Sequence, residues 1–81
     1  MTDEETNVGA SVTMVPVNSS NLKSIGRDGH KLRVEFNNGS MWEYDEGVDH
    51  HEEMLKLNSQ GKSVGSYFYA HVMRTLDGRK L

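Results

Sequence analysis

Sorted into apolar and polar positions, the chain is most regular at Lys31-Leu32-Arg33-Val34-Glu35-Phe36, where the two kinds alternate strictly. Successive side chains of a strand point to opposite faces. Leu32, Val34 and Phe36 therefore share one side, and Lys31, Arg33 and Glu35 the other. Asp28-Gly29 is a hairpin signal, and Leu22 to Arg27 fits the strand leading into it. The apolar residues of that strand, Leu22 and Ile25, stand three apart, which breaks the alternation and predicts a bulge. Met14-Val15-Pro16-Val17 reads as an extended entry segment; Pro16 has no N–H and suits a sheet edge. Asn37-Asn38-Gly39 is a second turn, and Met41-Trp42-Glu43-Tyr44 is the strand after it.

The length of that second turn decides where the aromatics go. A two-residue loop pairs Phe36 with Met41 and sends Trp42 and Tyr44 to the face of Arg33 and Glu35. A three-residue loop pairs Phe36 with Ser40, Val34 with Trp42 and Leu32 with Tyr44. The second register gathers five large apolar side chains on one face. At about 25 cal/mol per Å² and roughly 150–250 Å² per aromatic ring, it is favoured by several kcal/mol. It requires Gly39 to take the left-handed conformation.

Beyond the meander the apolar spacing becomes helical. Asp49 reads as an N-cap with Glu52 as its capping-box partner, opening a helix that runs to about Gln60 and stops at Gly61. Ser63 is a candidate cap for a second helix, with Val64, Phe68, Val72 and Leu76 as its core stripe and Gly78 as its stop. Tyr69 and Met73 form another stripe, to be covered by the rest of the domain or by a partner. The expected fold is α+β: a three-stranded antiparallel meander followed by two short helices packed on one sheet face.

Eighty-one residues allow one domain. Residues 1–13 read as a flexible acidic tail, and residues 14–81 as the domain. The absence of cysteine excludes disulfides, zinc–thiolate sites and thiol catalysis. No apolar run approaches the roughly 20 residues of a membrane span, and residues 2–6 are acidic and polar, unlike a secretory leader. A soluble, cytoplasmic protein is expected. Charge sharpens the picture once it is divided: Asp3, Glu4 and Glu5 account for the net charge of −3, so the remainder is neutral. A dedicated nucleic-acid binder usually carries a basic excess.

The order of motifs is informative. Val15-Pro16-Val17, Ser19-Ser20-x-Leu22-x-x-Ile25-Gly26, Leu32-x-Val34-x-Phe36-x-x-Gly39, Trp42-x-Tyr44, Ser59-x-Gly61 and Val64 through Val72 follow one another. This set resembles the KTSC domain, a small domain found free-standing in bacteria and their phages and at the C-terminus of some lysyl-tRNA synthetases. The family's central aromatic pair, usually Tyr-x-Tyr, falls on Trp42 and Tyr44. Arg27 replaces an aromatic that often follows Ile-Gly, and Gly47-Val48 stands where a proline is common. The resemblance implies a domain of no settled activity, for which the fusion to a synthetase suggests RNA binding.

Few residues group into a chemistry. His50, His51 and Glu53 are close in sequence, but adjacent helical residues point about 100° apart and cannot readily share one metal. Gly61-Lys62-Ser63 resembles the end of a phosphate loop, yet Lys56 stands where that loop needs glycine. The serines fit turns and caps, so no catalytic, metal or cofactor site is expected. Two candidate surfaces remain. Lys23, Arg27, Lys31 and Arg33 on the first hairpin are candidate nucleic-acid contacts, with Glu35 and Glu43 set to interrupt them. Tyr67, Tyr69, Met73 and Arg74 on the second helix are candidate interface residues. Trp42 and Tyr44 belong to the core in the preferred register; the alternative is a base-stacking surface. The expected function is a non-enzymatic interaction module, monomeric or homodimeric, that docks on a protein. An RNA- or DNA-binding accessory domain is the alternative.

Overall fold

A computed structural model describes residues 12–81. The expected acidic tail lies outside these residues except for Val12 and Thr13. The fold is α+β. Its sheet has five antiparallel strands, not three: β1 (Val15–Pro16), β2 (Leu22–Asp28), β3 (Lys31–Phe36), β4 (Met41–Tyr44) and β5 (Gly78–Lys80), in that spatial order. Two helices, α1 (Val48–Ser59) and α2 (Val64–Phe68), lie between β4 and β5 in the chain, and α2 runs into a π-helical segment, Tyr69–Met73.

The register of the central strands follows from the turn. Leu32 pairs with Tyr44 and Val34 with Trp42, Phe36 N–H donates to the Ser40 carbonyl at 2.9 Å, and Gly39 has φ 91°. The expected bulge is present where the β2–β3 register shifts between Leu22 and Ser24. Gly26 on β2 solves a different problem: a Cβ there would stand 2.6 Å from the Thr13 carbonyl oxygen and 2.7 Å from the Met14 sulfur. Glycine lets the segment before β1 lie directly on the sheet.

The first helix starts earlier than expected. Gly47 holds the cap position without a side-chain cap bond, and Asp49 is already within the helix. The entry is fixed by the hairpin instead. Val48 N–H donates to the His30 carbonyl at 3.2 Å, and Gly47 packs so closely on Leu32 that an added Cβ would sit 2.6 Å from the Leu32 Cβ. The turn between β2 and β3 thus takes the first helical N–H in place of a side-chain cap. The far end obeys the expectation: Gly61 has φ 73°, its N–H donates to Asn58, and Lys62 N–H donates to Leu57. This is the paired bonding of a Schellman stop. Ser63 caps α2 by accepting from Ser66 N–H.

The second helix is not one long α-helix ending at Gly78. Its core residues recur every four positions, and an α-helix carries such positions about 40° round its axis at each step. The wider π turn takes back part of that drift. Val64, Phe68 and Val72 thus all stay fully buried, whereas Tyr69 and Met73 are 37% and 50% exposed. These three pack with Leu22, Ile25, Leu32, Val34, Tyr44 and Met54 into one core between the helices and one sheet face. Phe68 sits at its centre, edge-on to Phe36 at 5.7 Å and to Tyr44 at 5.4 Å between ring centroids.

Gly78, expected as a helix stop, instead opens β5. Its reason for being glycine is the Tyr44 ring, which lies where a Cβ would go. Gly78-Arg79-Lys80 shows no apolar alternation, so the pattern that revealed the inner strands could not reveal this edge strand.

Candidate functional site

The sheet has two faces with different chemistry. Cross-strand partners share a face, so Gly26, Arg33 and Glu43 fall on the outer side, away from the helices. Glu43 is only 5% exposed, yet it is surrounded by cations. Arg33 donates to it at 2.9 Å and Arg79 at 3.1 Å, while the Lys31 ammonium lies at 3.9 Å. The hydrogen bond from Arg33 holds the Glu43 carboxyl below the usual range, against the opposing pull of burial, and the charges of Arg33, Lys31 and Arg79 add to the effect. Arg33 also meets Asp28 at 3.5 Å, Lys23 meets Glu35 at 3.9 Å, and Ser24 donates to Glu35 at 2.9 Å.

The candidate cations of the first hairpin do not converge as a group. Arg27 pairs with Leu32 and so belongs to the helix side of the sheet, where its charge and burial of the ring both lower the His51 pKa, burial being the larger cause. Lys23, Lys31 and Arg33 are on the outer face, each beside a carboxylate. Arg79, which completes that network, went unnoticed in the sequence because β5 carries no strand signal.

The helix-side candidates also divide. Tyr67 turns toward α1, sharing a 2.8 Å hydrogen bond with His50 Nδ1 and packing at 4.6 Å between centroids on His71; burial, with the Glu53 charge behind it, pushes its phenol up. Arg74 is exposed. Tyr69 and Met73 are exposed on the same segment, and Met73 belongs to a groove. No group of three or more His, Asp or Glu residues among the described ones is placed to hold a metal ion.

That groove, of about 420 Å³, is lined by Phe36, Trp42, Tyr44, Met73, Leu76 and Gly78, with Asn38 and Ser40 at one end. It is the part of the sheet's core face that the helices leave uncovered. Val34, Trp42's cross-strand partner, is fully buried, while Trp42 is only half-buried. Trp42 and Tyr44 stand nearly parallel, 6.4 Å apart and 20° between planes. Tyr44 is buried at 4% exposure, and burial, with Tyr69 nearby, pushes its phenol up. The pair therefore does two jobs: Tyr44 fills the core, and both rings line the groove. Sequence reasoning brought these rings to one face but missed Leu76 and Gly78 as their opposite wall.

This ordered chain of hairpin, aromatic pair and capped helices can be set beside known families. The family model of the KTSC domain matches residues 18–75. The chain belongs to the KTSC domain family. No curated protein matches it. The matched span of the KTSC domain holds the aromatic pair and both helices but begins after β1 and ends before β5. The wall that Leu76 and Gly78 give the groove thus falls beyond the matched residues. No helix among the described residues is long and apolar enough to cross a membrane.

Proposed function

We propose that this KTSC domain is a small non-enzymatic docking module, and that the groove beside Trp42 receives an apolar part of a partner protein. The observation that carries the reading is the contrast between the two sheet faces. On the helix side a half-buried Trp42 and an exposed Met73 border an open apolar groove. On the outer side the cations that would contact phosphate are engaged by Glu43 and Glu35. Concave sites lined by aromatic and apolar side chains, with few polar groups at the rim, suit recognition of another apolar surface.

The nucleic-acid alternative draws on the same Trp42, whose ring could stack on a base. It requires Lys31 and Arg33 to exchange Glu43 for phosphate. Affinity capture from the native host distinguishes the two. Partner retention should survive about 0.5 M salt, where exposed charges are largely screened, and should be lost with Met73→Glu. Recovery of nucleic acid instead, abolished by salt and by Lys31→Glu with Arg33→Glu, overturns the docking reading in favour of the alternative.

A further inference from the structure

The sheet ends on β5, and among the described residues no strand pairs with the margin of β5 that faces away from β4. Asp45 N–H donates to the Asp77 carbonyl at 3.2 Å and Leu81 N–H to the Met41 carbonyl at 2.8 Å. In an antiparallel ladder, hydrogen-bonded pairs alternate with pairs whose main-chain groups point away from each other. Tyr44–Gly78 and Trp42–Lys80 are the intervening pairs, so the N–H and C=O of Gly78 and of Lys80 face off the open margin. The same two positions share the groove face, Gly78 with Tyr44 and Lys80 with Trp42. Lys80 takes part in none of the ion pairs among the described residues, whereas Arg79, on the other face, is held by Glu43 and Asp45.

We infer that the margin of β5 takes up an extended, acidic segment of a partner protein as a sixth strand. Its main chain bonds to Gly78 and Lys80, a carboxylate meets the Lys80 ammonium, and an apolar side chain enters the groove beside Trp42. The inference rests on the protein-docking reading above and specifies the chemistry of the partner. Alternating donors and acceptors at strand spacing match another main chain. Two copies of this chain are poor mutual partners at this edge, since pairing β5 with β5 brings Arg79 and Lys80 of both together, and like charges across a strand pair repel. An acidic strand turns the same cations into attraction.

The test uses Trp42, the only tryptophan, as a fluorescence reporter. The probe is a capped octapeptide with Thr at every second position and, on the face between them, Glu alternating with Phe, so that a carboxylate opposite Lys80 and a ring opposite Gly78 share the groove face. Two further forms carry N-methyl groups on every second amide, along one margin or along the other, and a fourth has Lys in place of Glu. Binding below about 1 mM is expected for the acidic peptide. Methylation along one margin should weaken it at least about tenfold and along the other less than about twofold, because only one margin faces β5. Lys80→Glu should weaken it at least about fivefold, and the Lys peptide should bind no better than that variant does. Equal sensitivity to both methylations overturns strand addition. If Met73→Glu then still removes the Trp42 response, groove docking stands without it. No response to any peptide overturns the inference, and so does dimerisation of the chain through this edge in sedimentation.

Discussion

Replacing Glu43 by Gln keeps the side chain's shape and removes its charge, which makes it the sharpest probe of the outer sheet face. Glu43 is almost fully buried, but its partners are not: the side chains of Arg33, Lys31 and Arg79 are 21%, 41% and 53% exposed. The cost should therefore fall well short of the roughly 3–5 kcal/mol of stranding a buried ion. The bond at 2.9 Å from Arg33 drops from charge-assisted to neutral, a loss of about 1–1.5 kcal/mol. Arg79 and Lys31 remain hydrated and together add at most about 1 kcal/mol. The expected destabilisation is about 2 kcal/mol. With a urea slope of about 1–2 kcal/mol per molar for a domain this small, the midpoint should fall by about 1–2 M. The effect must depend on pH in one direction. Because the folded carboxyl titrates below its unfolded value, its stabilisation is complete above the unfolded value of about 4.3 and is lost as pH falls through the folded one. Wild type and E43Q should therefore converge in acid. A difference under about 0.5 kcal/mol at pH 7, or one that persists unchanged in acid, would refute the account of Glu43 as the hub of the network.

Other consequences can be measured on the same protein. Gly78→Ala places a methyl group on the Tyr44 ring, so β5 should loosen at a cost of about 1–3 kcal/mol, seen as lost hydrogen-exchange protection of the Leu81 amide. Phe68→Ala empties the centre of the core at about 3–5 kcal/mol, comparable to the whole stability of a chain this size, and sharp amide dispersion should disappear from its NMR spectrum. His51 is buried with its Nδ1 unpartnered, and its folded pKa is lowered. The fold prefers the neutral ring, so stability should be full above about pH 6.5 and fall as the pH drops below it; thermal melts of wild type against His51→Phe should show that slope reduced in the variant.

The parts of the fold that alternation or turn chemistry encodes were legible in the residues. Leu32, Val34 and Phe36 announced β3, and Gly39 with the aromatics set the hairpin register, because a wrong register would expose two rings. Gly61 marked the end of α1 since few other residues accept its positive φ. What escaped notice was decided by distant contacts. α1 opens at Gly47 because Leu32 leaves room only for glycine there and the His30 carbonyl takes the Val48 N–H, not because of anything within the helix. Gly78 opens a strand because Tyr44 leaves room only for glycine, and no local pattern distinguishes that from a helix stop. The candidate site followed the same division. Trp42 was legible as the core-face partner of Val34 and Met73 as an apolar residue that needs cover, but Lys80 and Gly78 join them only because β5 folds back on β4. Glu35 and Glu43 were legible as interruptions of the basic hairpin, but Arg79, the third cation around Glu43, lies at the far end of the chain, where no strand signal pointed to it.

The two borders of the sheet are unlike. Pro16 leaves β1 without an N–H to offer, whereas β5 keeps all of its main-chain groups. A strand that paired at β1 would find no donor at Pro16, whereas one at β5 would find donors at Gly78 and Lys80. The contact that β5 offers to a further strand therefore has no counterpart at Pro16, and the sheet's two borders are not interchangeable.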